Sequence, residues 1–333
     1  MSGTIKFCEV LTADPEIYPS SITSSNVSPV YAYRNKGLGM QYYSKLLGFI
    51  RNRKITAEIV SLDPVKDHCR IVHLMTGYEF PWDIVRALEV ALMETFCSPK
   101  VSGLLNRTGE FRRHGQKRYD DTALLVAEFM QNGYDAERGR DAIDHINKIH
   151  GFYHIANDEF LFVLSTFVFQ PVHWIDAYGW RKTTENERQA LFYFFKAVGE
   201  RMNIKDIPAS LNGLRHFVDD YKKNNVFFIE TNRAVGDATV NIVKGWMPFF
   251  ARPFVLPVMK CLLHKNMLAA LGYTAPPTLL KILVNGAMRI RALALRVITF
   301  KKYPSFVTIE RNRTYTKGYE IMKLGPENLV KKF

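Results

Sequence analysis

Cysteine is scarce in this sequence, and the four present, Cys8, Cys69, Cys97 and Cys261, lie far apart with no pair at CxxC spacing. Neither a disulfide framework nor a zinc ribbon can be read from them, and a reducing compartment is expected. Apolar runs of bilayer length are also missing. The best candidate, 160–172, has 13 residues without a charge, short of the roughly 18 to 20 that a crossing needs, and reads as a buried helix. The first twenty residues contain Glu9, Asp14 and Glu16 and no basic segment leading into an apolar stretch. A cleaved signal peptide is therefore not expected, and a cytoplasmic, non-secreted protein is. On that basis the sequons at Asn26, Asn106 and Asn312 are chance matches. There is no GxGxxG, GxxxxGK[ST], HExxH or GxSxG, so hydride and phosphoryl transfer lose their usual support. Nor is there a Glu-x-x-His pair, which argues against a ferritin-like di-iron bundle.

What is present belongs to an ordinary globular chain: 333 residues, 47% hydrophobic and 23% charged, with a mean hydropathy of −0.12. At this length roughly 75% of the unfolded surface can be buried, so a core needs no staples. The charge is unevenly spread. Ten lysines and arginines and no acid lie between 238 and 309, so ten of the net +13 charges fall there. These residues (Lys244, Arg252, Lys260, Lys265, Lys281, Arg289, Arg291, Arg296, Lys301 and Lys302) alternate with apolar runs such as 254–259 and 292–295. That pattern suits a peripheral membrane contact better than a nucleic-acid groove, and no nucleic-acid partner is expected. A solvated basic face on two core helices, or a groove for anionic cofactor groups, reads equally well.

Residues 1–55 show no period and read as an N-terminal arm. Beyond them the spacing predicts helices over 82–96, with Pro99 as a stop, and over 120–130 and 136–155, with Asn157 capping the next helix from Asp158. Thr184-Glu185-Asn186-Glu187 has capping-box spacing and opens a helix to about Met202. A further helix is expected at Pro208, and two long ones over 252–271 and 277–297, separated by a turn at 272–276. Only 308–320 looks partly extended. With no repeat and no linker, the expectation is one all-α helical bundle over 56–300, with 301–333 as an extension packed on it.

Three histidines, His145, His150 and His154, cluster at the end of one predicted helix. His150 and His154, four residues apart, share a face if the helix continues, and can bind a metal directly or line a pocket. Gly151 leaves room beside His150 for a large planar group, an arrangement compatible with a histidine holding haem iron. A hydrogen-bonded core histidine fits the same spacing. Arg118 and Thr122, also four apart, can face one site and suit an acidic group such as a propionate. Equally, Arg118 can pair with Asp120 or Asp121 at a helix N-terminus. Glu110 and His114 are each an acid or base candidate.

Read in order, Thr108-Gly109-Glu110-Phe111, Lys117-Arg118-Tyr119-Asp120-Asp121-Thr122, Ile146-Asn147-Lys148-Ile149-His150-Gly151, Asn157-Asp158-Glu159-Phe160-Leu161 and Tyr178-Gly179-Trp180-Arg181 resemble the MpaB-type oxygenases, relatives of the latex clearing protein or rubber oxygenase. The likeness continues through Leu271-Gly272-Tyr273 with Pro276-Pro277, and Arg313-Thr314-Tyr315 with Gly318-Tyr319. It implies an all-α bundle enclosing a haem b pocket, and oxygenative attack by O2 on a carbon–carbon double bond of a small hydrophobic, isoprenoid-like substrate. It places His150 at the proximal iron ligand and Arg118 and Thr122 beside the haem. One departure is informative. Rubber oxygenases have Arg-x-x-Lys-Thr, so Asp121 stands where their lysine can cap the iron. Their lysine-closed resting state does not carry over, and Asp121 becomes either a distal acid/base or the partner of a neighbouring arginine. Glu110 or Asp121 is the candidate proton shuttle. Phe160, Phe162, Phe167, Phe169, Trp174 and 192–195 are available to line an apolar tunnel or simply to fill the core. Known members look membrane-anchored by an N-terminal segment that is not evident here, and the basic C-terminal third is a substitute. A haem-dependent dehydrogenase or hydroxylase of a lipid or natural product, and a non-catalytic lipid-binding protein, remain alternatives.

Overall fold

Proline and glycine decide where the first helices begin and end. The computed structural model describes residues 53–297 and 304–332; the expected N-terminal arm up to residue 52, and Lys301 and Lys302, lie outside them. Short helices α1 (Lys54–Ser61) and α2 (His68–Leu74) lead through one π-turn, Met75–Glu79, into α3 (Pro81–Thr95). Pro81 sits in the first turn of α3, where a missing N–H costs nothing. α3 ends at Thr95, ahead of Pro99 as expected, and Pro99 then plays the same first-turn part in α4 (Pro99–Thr108). Gly109, at φ +68°, ends α4 and lets the chain re-enter as α5 (Glu110–Arg113), which runs on to α6 (Gly115–Asn132).

The chain then doubles back. α7 (Glu137–His150) lies against α6, and a Cβ at Gly139 would fall 1.9 Å from the Gly133 carbonyl oxygen, so only glycine allows this approach. α7 stops at His150, five residues earlier than the periodicity suggests. His154 therefore lies beyond the helix and exposed, and does not share a face with His150. α8 (Asn157–Tyr178) follows, but Asn157 does not cap it. Its amide donates to the Lys205 carbonyl at 2.9 Å and its side-chain oxygen accepts from the Lys205 N–H at 2.7 Å. Among the described residues α8 is the one helix long and apolar enough to cross a membrane, and 61% of that apolar window is buried inside the fold.

α9 (Glu185–Arg201) carries the expected capping box: Thr184 accepts from the Glu187 N–H at 3.2 Å, and Glu187 reaches back to the Thr184 N–H at 2.7 Å. α10 (Leu211–Asn225) begins after Ser210, whose hydroxyl accepts from the Gly213 N–H at 3.0 Å; a hydroxyl cap wins over Pro208 as the starting signal. α11 (Glu230–Trp246) was not evident from spacing. The expected helix over 252–271 is two, α12 (Arg252–Leu262) and α13 (Lys265–Ala270), separated by extended backbone at Leu263 and His264. α14 (Thr278–Leu295) matches its expected position, and α15 (Glu327–Val330) closes the chain. No strand forms among the described residues, and 308–320 is turn and coil.

α3 runs along α8, and α2, α6, α8 and α9 enclose the main core, in which Phe80, Phe192, Phe194 and Phe195 are fully buried. A second cluster lies between the end of α3, α5, α11 and α13. Residues 304–332 wrap α6 and α7. Thr314 N–H donates to Asp120 at 2.9 Å, Tyr319 donates to Glu128 at 2.5 Å, and His145 Nε2 lies 2.6 Å from the Leu324 carbonyl.

Candidate active site

Between α4, α6, α7 and α8 lies a cavity of about 250 Å³, closed at one side by Gly325 and Pro326. Five residues singled out from the sequence line it together: Glu110, Arg118, Asp121, Thr122 and His150. The rest of the wall is largely apolar, including Leu104, Leu125, Phe129, Val163 and Val198.

His150 enters as the last residue of α7, with its ring centroid 5.3 Å from that of Phe160. Its buried Nδ1 has no hydrogen-bond partner. Burial, helped by the positive charge of Arg118, pushes its pKa down to about 4, so the imidazole is neutral near pH 7. Of the three clustered histidines it alone lines the cavity. His145 is fully buried against Leu324, and His154 faces out. Gly151 is exposed and does not line the cavity; a Cβ there would meet only carbonyls of its own helix at 3.4 Å. The space beside His150 is therefore opened by α6 and α8, not by that glycine.

Arg118 is held by α6. Its guanidinium donates to the Thr122 hydroxyl, which in turn donates to the Arg118 carbonyl at 3.0 Å, and it lies 5.4 Å from the Phe111 ring centre. Burial lowers its pKa, opposed by Asp121, Tyr153 and Glu110. Yet among the described residues no carboxylate comes within ion-pair distance of it. A half-buried cation set in an apolar cavity wall without an anionic partner is costly unless a ligand brings one.

Asp121 is 2% exposed and already engaged: Lys117 Nζ lies 2.9 Å from one oxygen and Tyr315 donates to the other. The partner is thus a lysine one turn earlier, not the neighbouring arginine. Lys117 also donates to the Gly325 carbonyl at 2.5 Å, fastening the C-terminal segment over the cavity. Glu110 takes a different position. It lines the cavity while its carboxylate lies 3.2 Å from Nδ1 of the exposed His114 and 3.9 Å from Arg113.

Tyr153 and Glu159, not singled out from the sequence, also line the cavity, and burial raises the pKa of both. The signal for Glu159 lay inside the Asn157-to-Leu161 string. Of the aromatic candidates, Phe160, Phe167 and Phe195 reach the cavity, whereas Phe162, Phe169, Trp174 and 192–194 do not and belong to the core. A second, apolar cavity of about 100 Å³ shares Leu92, Thr122, Val126 and Phe167 with the first and is roofed by Ser305, Phe306 and Val307. Among the described residues no group of three or more His, Cys, Asp or Glu side chains comes together to hold a metal ion.

Similar proteins bear on this arrangement. The chain is 24% identical over 243 residues to the ER-bound oxygenase mpaB' of Penicillium brevicompactum, covering 68% of this chain and 57% of that protein. It is 33% identical over 145 residues to the ER-bound oxygenase mpaB of Penicillium roqueforti (strain FM164), covering 41% of this chain and 49% of the relative. The chain thus spans about half the length of the curated relatives it matches. The family described as ER-bound oxygenase mpaB/B'/Rubber oxygenase, catalytic domain, matches residues 85–293, a range that contains Glu110, Arg118, Asp121, Thr122 and His150, and the chain belongs to that family.

Proposed function

We propose that the protein is a haem b-dependent oxygenase that uses O2 to cleave a carbon–carbon double bond in a small hydrophobic, isoprenoid-like substrate. The carrying observation is the pairing, in one apolar cavity, of a half-buried imidazole whose buried Nδ1 has no hydrogen-bond partner with a half-buried arginine that has no carboxylate in ion-pair range among the described residues. Haem b presents an iron that accepts one imidazole and two anionic propionates, and these residues fit both needs. With no cluster of three protein ligands among the described residues, a lone histidine suits an iron whose other ligands come from a macrocycle. His150 would hold the iron, and Arg118, braced by Thr122, would pair with a propionate. Bound there, the haem supplies the oxygen-activating centre.

The chain's own residues set the conditions. The neutral His150 ring keeps a lone pair available near pH 7. Leu125, Phe129, Val163 and Phe167 exclude water and favour an apolar chain, which the adjoining smaller cavity can extend. Glu110, between the cavity and exposed His114, is placed to pass a proton to the surface. Asp121, tied to Lys117 and Tyr315, positions the C-terminal segment and takes the role of a positioning residue, a narrower part than acid/base catalyst. The protein works at a membrane face as a peripheral protein, a reading supported by the "ER-bound" names of its relatives and by its basic C-terminal third.

The test is the visible spectrum of protein from haem-supplemented cells, as prepared, reduced and with carbon monoxide. A Soret band lost in His150→Ala and kept in His154→Ala is expected. A colourless wild-type protein, or a band that survives His150→Ala, overturns the reading. Product mass separates cleavage from hydroxylation or dehydrogenation.

A further inference from the structure

Within the described part of the stretch without acids, 238–297 and 304–309, α12, α14 and the turn before α12 present an apolar surface of a kind that soluble proteins rarely leave open. On α14, Leu279, Ile282, Leu283, Ile290 and Leu293 are all exposed, Leu279 at 69% and Ile290 at 68%. At 100° per residue they fall within one stripe about 100° wide. The opposite side of α14 is the one engaged with the fold, through Ala292 buried, Asn285 accepting from Tyr178 at 2.6 Å, and Arg291 on Asp83 at 2.9 Å. The apolar stripe therefore faces away from the core. α12 packs beside α14, and the turn into it exposes Phe249 at 80%, with Phe250 and Phe254 close to two-thirds open.

Charge identifies what covers this face. Arg252 on α12 and Arg289 and Arg296, which flank the stripe on α14, are exposed, as are Lys265 and Lys281 elsewhere in this stretch, and among its described residues Arg291 alone has a carboxylate partner. A second copy of the chain would set this positive field against an identical one, with no acid to offset it. A bilayer with anionic headgroups answers both features: it accepts aromatic and aliphatic side chains at its interface and attracts the surrounding lysines and arginines. We propose that the outer face of α12 and α14 docks the protein onto anionic phospholipid, with Phe249, Phe250, Phe254 and the α14 stripe entering the headgroup region. This specifies the membrane contact of the reading above, and it does not depend on haem.

The experiment is flotation of the full chain with vesicles of phosphatidylcholine, with and without phosphatidylserine. Binding at least about tenfold stronger with phosphatidylserine, and weakened by salt, is expected. Each basic residue near such a surface contributes about 1 kcal/mol, or about fivefold, so Arg252→Glu with Arg289→Glu should lower partitioning by about 25-fold or more. Phe249→Ser with Phe250→Ser should also release the protein, while Arg140→Glu on α7 should not. No preference for phosphatidylserine, or variants that bind like wild type, overturns the proposal. So does a concentration-dependent dimer that the phenylalanine variants dissolve. The Soret band of the same samples keeps the two failures apart: a colourless chain that still floats sinks the cofactor and leaves the docking face, and a coloured chain that never floats does the reverse.

Discussion

Arg181 and Arg118 are both guanidiniums drawn into the fold, and their surroundings differ in one respect. Arg181 lies between Glu79 at 2.8 Å and Glu187 at 2.7 Å, with its charge over the rings of Phe80 and Trp180. Arg118 has a hydroxyl, a ring and an open cavity, and no carboxylate in ion-pair range among the described residues. A cation whose partners are all supplied by the protein is part of the scaffold. One whose anion is missing is waiting for a ligand. Motif membership did not separate them, since both residues sit in strings that resemble the same family.

The largest effect tests the scaffold side. In Arg181→Met, Glu79 and Glu187, at 3% and 0% exposure, lose the one cation in ion-pair range of them among the described residues. Leaving buried carboxylates uncompensated should cost about 3–5 kcal/mol, read as a lower denaturation midpoint. A change below about 1 kcal/mol would show that this network is no more structural than Arg118.

Next in size is the pH response of the cofactor-free protein. His150 is held at about 4 in the folded chain against 6.5 when unfolded. Above pH 6.5 it is neutral in both states and contributes nothing to the pH dependence. As pH falls below 6.5 the unfolded chain takes up the proton first, so stability falls until about pH 4 and then levels off. The difference in shift corresponds to about 3 kcal/mol. Chemical denaturation of wild type and His150→Gln across pH 4–7 should show the wild-type curve falling more steeply. Parallel curves would mean that the imidazole is not buried as described. His68, His73, His145 and His173 are shifted downward by burial too and set the common background.

Tyr315→Phe comes third. It removes the phenol that donates to Asp121 and leaves Lys117 in place. A hydrogen bond to a charged group contributes about 1.5–3 kcal/mol, so a loss near 2 kcal/mol is expected, with faster proteolysis of the C-terminal segment. Unchanged protease sensitivity would count against the fastening role given to Asp121.

How far the sequence foretells these regions follows from the range of each interaction. The Thr184–Glu187 capping box spans three residues and was readable; so were α3 and α14, whose periodicity lies within one element. Five site residues were readable as candidates because their strings resemble a family and repeat at helical spacing. The helix break at Leu263 was not, because no proline or glycine marks it, whereas the end of α7 at His150 is marked by Gly151, a poor helix former that the apolar periodicity continuing beyond it outweighed. Tyr315 reaches Asp121 across 194 positions, and Lys117 reaches Gly325 across 208. No spacing rule covers such distances, so the closure of the cavity by the C-terminal segment appears only in the fold.

The smallest effect on stability is the most telling. Arg118→Met replaces a half-buried cation, without a carboxylate partner among the described residues, with an apolar chain of similar length, deleting one bond to Thr122 and the contact with Phe111. Because no carboxylate is orphaned, the cofactor-free protein should change by no more than about 1 kcal/mol, and relief of the buried charge can make it more stable. Haem affinity should move the other way, falling about tenfold or more as the propionate loses its charge-assisted partner, measured by haem titration at the Soret band. Arg118→Lys should restore part of that affinity, since a lysine keeps the charge but not the two-pronged geometry. If instead Arg118→Met costs as much stability as Arg181→Met while haem binds unchanged, the two arginines are of one kind, and the cavity beside His150 loses its claim to an anionic ligand.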